Sequence, residues 1–217
     1  ALYTLAGLEL GAQNGKRHLI STAFEHPSVL RALEYLQTQG FEGSLVKPRP
    51  DGVVAVEDIA DALRPDTAAV SVMLANNEIG TIQPVAEIST LCKERGVFLH
   101  TDAVQAVGHL AVDFAALDVD ALTLSGHKFG GPKGIGALLL RRGLQPFSLI
   151  RGGGQERGSR AGTENVPGII GMAAALEAEC TNLTTNTEKV TALREQLIGG
   201  LLQISGSFLT GNRTRRV

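Results

Sequence analysis

Two periods of apolar spacing alternate along this chain. Short apolar runs at residues 18–22, 44–46, 67–74, 97–101, 121–124 and 135–141 have the length and filling of buried strands. Between them the spacing lengthens to that of helices. Residues 28–39 place Val29, Leu30, Leu33 and Leu36 on one face and end at Gly40. Residues 56–63 form a second helix, stopped by Arg64-Pro65-Asp66, and Pro84 opens a third that runs to about Arg95. Residues 113–118 read as a short helical connection. A long helical pattern covers 165–202, with a kink expected near 181–187. At the start of the chain, Leu2, Leu5, Ala6, Leu8 and Leu10 give the pattern of a helix already under way.

Strands that alternate with helices at these intervals predict an α/β fold: a mostly parallel sheet sandwiched by helices. In such sheets ligands bind beyond the carboxyl ends of the strands. His26, Asn77, Asp102 and Lys128 each follow a predicted strand, so four polar residues of different chemistry converge on one edge.

Composition narrows the range of functions. A formal charge of −2 gives no electrostatic reason to expect nucleic acid or an anionic membrane as partner. No apolar run reaches membrane-spanning length and no signal-peptide pattern opens the chain, so a cytoplasmic protein is expected. Aromatic residues make up 4% with no Trp, which leaves the core to Ala, Val, Leu and Ile. Cys92 and Cys180 lack metal-ligand spacing, so no metal site is expected, and their helical settings point to structural thiols.

The segment Asp120 to Gly136 carries the sharpest chemistry. An apolar strand breaks into Ser125-Gly126-His127-Lys128-Phe129-Gly130-Gly131-Pro132-Lys133-Gly134, leaving a lysine between a histidine and a glycine turn. Lysine amines form imines with aldehyde cofactors. The neighbours match what pyridoxal 5'-phosphate requires. Lys128 meets the aldehyde, and Asp102 can hold the pyridine nitrogen protonated. Gln105 and Asn77 are amides suited to the phenolate oxygen. Ser125 and His127 suit the phosphate, with help from backbone N–H groups of the glycine turn. His26 offers a flat imidazole to stack on the ring and to move protons. Taken singly, Asp102 reads as a strand-end turn former, Asn77 as a turn residue and His26 as a cap before Pro27. Their order after successive strands favours a site.

Four motifs in this order resemble the signatures of cysteine desulfurases: Asn76-Asn77-Glu78-Ile79-Gly80, Asp102-Ala103-Val104-Gln105, the Ser125 to Gly134 segment, and Arg151-Gly152-Gly153-Gly154-Gln155-Glu156-Arg157-Gly158-Ser159-Arg160-Ala161-Gly162-Thr163-Glu164-Asn165. The resemblance covers nearly the whole chain and is to the group serving nitrogenase and general iron–sulfur cluster assembly. It implies the large domain of the aminotransferase-like, fold-type-I pyridoxal-phosphate enzymes, a homodimer, and delivery of sulfur to an iron–sulfur scaffold or other acceptor protein. The implied reaction converts L-cysteine to L-alanine and leaves the sulfur as a persulfide on an enzyme cysteine. By the same resemblance Lys128 is the Schiff-base lysine, Asp102 the pyridinium partner and His26 the stacking histidine. Gln105 and Asn77 contact the phenolate oxygen, Ser125 and His127 the phosphate, and Thr163 the phosphate of the partner subunit's cofactor.

The resemblance also sets expectations about extent. Residues 1–202 correspond to the cofactor domain, and 203–217 to the start of a smaller one. The family's Thr-rich phosphate loop falls before Ala1, and its persulfide cysteine and substrate-carboxylate arginine fall beyond Val217. The chain by itself is therefore expected to hold most of the cofactor site without turning over cysteine. A selenocysteine lyase, another enzyme of the same fold, and a non-catalytic scaffold are the alternatives. A nucleotide or RNA contact at Gly152 to Gly158 lacks both phosphate-loop spacing and stacking aromatics.

Overall fold

In the computed structural model, which describes residues 15–144 and 147–217, six strands form one sheet. They are β1 (His18–Thr22), β2 (Glu42–Val46), β3 (Thr67–Ser71), β4 (Phe98–Asp102), β5 (Ala121–Ser125) and β6 (Gly136–Leu140). The helices are α1 (Pro27–Thr38), α2 (Val56–Ala62), α3 (Val85–Glu94), α4 (Phe114–Leu117) and α5 (Val166–Leu201), with 3-10 turns at Gly126–Phe129 and Gln155–Gly158. Sheet order is β2-β1-β3-β4-β5-β6, parallel through β5, with β6 antiparallel at the edge. After β2 the chain crosses to the other side of β1, which makes the carboxyl ends of β1 and β3 the switch point where a crevice opens.

The expected α/β architecture is found, with small differences at element ends. β3 stops at Ser71 rather than at residue 74, although its extension still bonds β4: the Val72 and Leu74 N–H groups donate to His100 and Asp102 carbonyls. β4 begins one residue later than expected and ends on Asp102, so that carboxyl is part of the strand. α5 runs unbroken for 36 residues across the position where a kink was expected. The helical pattern at the start of the chain lies outside the described residues. No helix among the described residues is long and apolar enough to cross a membrane.

Period-two alternation sorts the strands onto two faces. Ile20, Val70, Leu99 and Leu122 point into one core, shared with Ile59 of α2, Val85, Ile88 and Cys92 of α3, and partly buried Met172 and Leu176 of α5. Leu19, Ala69 and Ala121 point the other way, onto Val29, Ala32, Leu33 and Leu36 of α1. Burying each large aliphatic side chain contributes roughly 1.5–3 kcal/mol. The α1 face changes character along the strands. Further along the same face come Ser71, His100 and Thr123, and then Asp102 and Ser125 at the carboxyl ends. That face is apolar at its base and polar at its rim.

Candidate active site

His100 organises the polar rim. Its Nδ1 bonds Ser71 Oγ at 2.8 Å and its Nε2 bonds Thr123 Oγ1 at 3.0 Å, so one imidazole spans β3, β4 and β5. Complete burial pushes it down to about 3, so the ring is neutral at physiological pH. Two residues on, the Asp102 carboxyl is 8% exposed and accepts the Val104 N–H on Oδ1 at 2.9 Å. Burial raises it above the usual carboxylate range, and the Val104 bond and the charge of His26 pull it back. It makes no ion pair among the described residues. A buried carboxylate outside any ion pair among the described residues invites a ligand that brings a cation.

The lysine turn is built against this strand end. Gly126 N–H donates to Ile135 O and Gly131 N–H to Gly126 O, closing the loop between β5 and β6. A Cβ on Gly131 would lie 2.9 Å from Gly126 O, and one on Gly136 would lie 2.6 Å from Leu124 O, so glycine is required at both. Those two N–H groups are engaged inside the loop, which removes them from the anion-binding role expected for the glycine turn. Buried Phe129 meets Gly108, where a Cβ would sit 2.7 Å from Phe129 Cβ. This contact fixes the turn carrying Lys128 against the loop carrying Gln105. Lys128 itself is exposed, and Gln105 is half-buried. Ser125 Oγ and His127 Nδ1 bond each other at 2.8 Å, forming one polar unit beside the lysine.

His26 and Asn77 arrive from the β1/β3 side. His26 caps α1: its Nδ1 accepts the Ser28 N–H at 3.2 Å, with Pro27 opening the helix. The ring is exposed, and in its neutral form accepting through Nδ1 places the proton on Nε2. The capping role and a site role are compatible, because the cap uses one ring nitrogen. Asn77 sits exposed at the tip of a loop held by its neighbour Asn76. Buried Asn76 accepts the Glu78 and Ile79 N–H groups on Oδ1 at 2.9 Å each, and donates to Phe24 O at 2.9 Å. Thr163 lies exposed in the loop before α5, and among the described residues no hydrogen bond joins it to the other seven.

Sequence reasoning missed the groups beneath this rim. Glu25, Asn76 and His100 tie the loops and strands together. An acid next to His26 at the end of a buried strand was the available signal for Glu25. Cys92 is buried, and burial pushes its thiol up to about 12, whereas Cys180 is exposed on α5. Among the described residues no cluster of His, Cys, Asp or Glu could hold a metal ion. The segment 203–217 folds back on the Asn76 to Thr81 loop, where Thr81 bridges Arg216 and Arg215 O accepts the Ile82 N–H.

The profile of the class-V aminotransferases matches residues 3–216. The chain is 43% identical over 215 residues to cysteine desulfurase IscS of Methanosarcina thermophila, covering 99% of this chain and 53% of that protein. It thus spans about half the length of the curated relatives it matches. Among solved structures, a NifS-like protein superposes with a TM-score of 0.92 at 39% identity, covering 99% of this chain and 59% of the other. SspA in complex with cysteine superposes with a TM-score of 0.76 at 38% identity, covering 81% and 51%.

Proposed function

The chain belongs to the class-V aminotransferase family, and on that premise we propose that it is the pyridoxal-phosphate domain of a cysteine desulfurase. The observation that carries the reading is Asp102, a buried carboxyl that makes no ion pair among the described residues, at the carboxyl end of β4, one strand from the turn that presents Lys128. The residues present fit the group. Asp102 would take the ring nitrogen, Lys128 the aldehyde carbon, and the Ser125–His127 pair the phosphate, with Gln105 and Asn77 at the phenolate oxygen. When bound, pyridoxal phosphate supplies a carbonyl for amine capture and a protonated ring that draws electrons from a substrate carbon.

The chain's own residues then have distinct tasks. Asp102, held by the Val104 N–H, would keep a proton on the ring nitrogen. Lys128 stands exposed, where its amine would hold the cofactor and accept a proton. His26 presents the ring edge carrying Nε2–H, while its Nδ1 remains tied to α1. Thr163 would serve the site of a second copy in a homodimer.

The substrate is L-cysteine, the products are L-alanine and sulfane sulfur, and the sulfur goes to an acceptor protein of iron–sulfur cluster assembly in the cytoplasm. Neither Cys92, buried with its thiol held protonated, nor Cys180, half-way along α5, suits the sulfur-accepting role. That role falls to a cysteine outside residues 1–217. Residues 1–202 form the cofactor domain, and the segment from 203 begins a smaller one.

The test is turnover by the full-length protein with L-cysteine, following alanine by chromatography and sulfide after reduction. Equal yields of alanine and sulfide, abolished in Lys128→Ala, are expected. Sulfide without alanine, or activity surviving Lys128→Ala, would overturn the proposal.

A further inference from the structure

Glu25 is a charge-bearing residue that the proposed chemistry leaves unused, and its surroundings are unusual. It lies at the switch point between β1 and β3 and is only 4% exposed. Its Oε1 accepts two bonds, from the Thr22 hydroxyl and from the Met73 N–H, both at 2.7 Å. Those bonds join the end of β1 to the extension of β3 immediately before His26. Its Oε2 is buried without a hydrogen-bond partner among the described residues. No cation pairs with it there.

Among the described residues the groups facing it come from three strands. From β1 comes the Thr22 hydroxyl, from the β3 extension the Met73 N–H, and from β4 the carboxyl of Asp102; adjacent His26 acts on Asp102. Two carboxylates sharing a low-dielectric pocket do not both ionise readily. Burial, reinforced by Asp102 and opposed by the Thr22 and Met73 bonds, pushes Glu25 up to about 8.

We propose that Glu25 is a proton-bearing positioning residue of the site. As a neutral acid, carrying its proton on Oε2, it ties the His26 loop to β3 and leaves the negative charge to Asp102. As an anion it faces Asp102 without an ion pair among the described residues, and the tie gives way. The proposal rests on the reading that Asp102 and His26 hold the pyridine ring. It gives the site an alkaline limit set by a residue that need not touch the ring.

Glu25→Gln keeps the Oε1 acceptor and removes the titration, whereas Glu25→Ala removes both. The full-length proteins are compared in two ways. The first is amide hydrogen exchange over residues 23–29 without cofactor, between pH 6 and 10. The second is the pyridoxal-phosphate affinity, read from the visible absorbance band over the same range. In the parent, protection of residues 23–29 falls relative to Glu25→Gln as pH rises to about 8 and levels off above it. In Glu25→Gln it persists relative to the parent, and in Glu25→Ala it is low throughout. Cofactor affinity of the parent falls away from that of Glu25→Gln by up to about tenfold per pH unit above the midpoint. Parallel pH profiles for parent and Glu25→Gln, with a cofactor band in both, would overturn the proposal alone. Absence of the band in both proteins at pH 7 would overturn the functional reading and, with it, the role given to the tie.

Discussion

Acidification tests the account of His100 quantitatively. The imidazole is buried between Ser71 and Thr123, and its folded value lies near 3 against an ordinary 6.5. A depressed folded value means that the stability contribution is present above the unfolded value and is lost as pH falls toward the folded one. At pH 4 the unfolded chain binds this proton and the native chain does not. Each unit is worth about 1.36 kcal/mol, so the loss from this residue between pH 7 and pH 4 is about 3 kcal/mol. A domain of this size has a total of about 5–15 kcal/mol, so the loss is large. Glu25 works in the opposite sense. Its folded value is raised to about 8, so its contribution is present below about 4.5 and is lost as pH rises through 8. Between about pH 4.5 and 6.5 the two residues offset each other, and the parent alone would show little change from them.

The comparison must therefore be parent against His100→Gln, in which every other group titrates alike and cancels. The variant loses packing and one hydrogen bond, a cost of about 1–3 kcal/mol at pH 7. That deficit should shrink by about 3 kcal/mol by pH 4, so that the variant equals or exceeds the parent in acid. Urea unfolding followed by far-UV circular dichroism at pH 7, 5.5 and 4 measures it, since the chain has no Trp to report by fluorescence. A deficit constant within about 0.5 kcal/mol across that range would refute the buried neutral imidazole.

Further outcomes follow from other contacts. Asn76→Ala strips partners from two N–H groups and the Phe24 carbonyl, and should cost about 2–3 kcal/mol in urea unfolding; a loss under about 0.5 kcal/mol would contradict the bonding described. Gly131→Ala places a methyl against Gly126 O, so cofactor affinity should drop at least about tenfold while far-UV dichroism stays unchanged; unaltered affinity would show that the turn tolerates side chains. Iodoacetamide at pH 8 should label exposed Cys180 and spare Cys92 until the protein unfolds, as read by mass spectrometry; equal labelling of the native protein would contradict the burial of Cys92.

The sheet was legible because each strand is a short apolar run between turn residues, and α1 and α3 because their apolar faces repeat at helical spacing. Boundaries slipped where hydrogen bonding outlasted regular geometry, as at Val72 and Leu74, or where a polar residue completed the ladder, as Asp102 does in β4. The residues proposed for the cofactor were visible because their side chains imply reactivity. Their supports were not, because support depends on distance in space. Nothing local reveals that Asn76 reaches Phe24, that Glu25 reaches Met73, or that His100 joins Ser71 to Thr123. Glycine indicated a tight bend, but not that the folded bend engages the donors of Gly126 and Gly131.

The central claim is that Lys128 captures pyridoxal phosphate at the carboxyl edge of this sheet. The most direct measurement is a visible absorbance scan after adding pyridoxal phosphate to the full-length protein and desalting, for the parent, Lys128→Ala and Lys133→Ala. A yellow band retained by the parent and by Lys133→Ala but lost from Lys128→Ala is the predicted result. A band of equal strength in the parent and Lys128→Ala would contradict the account.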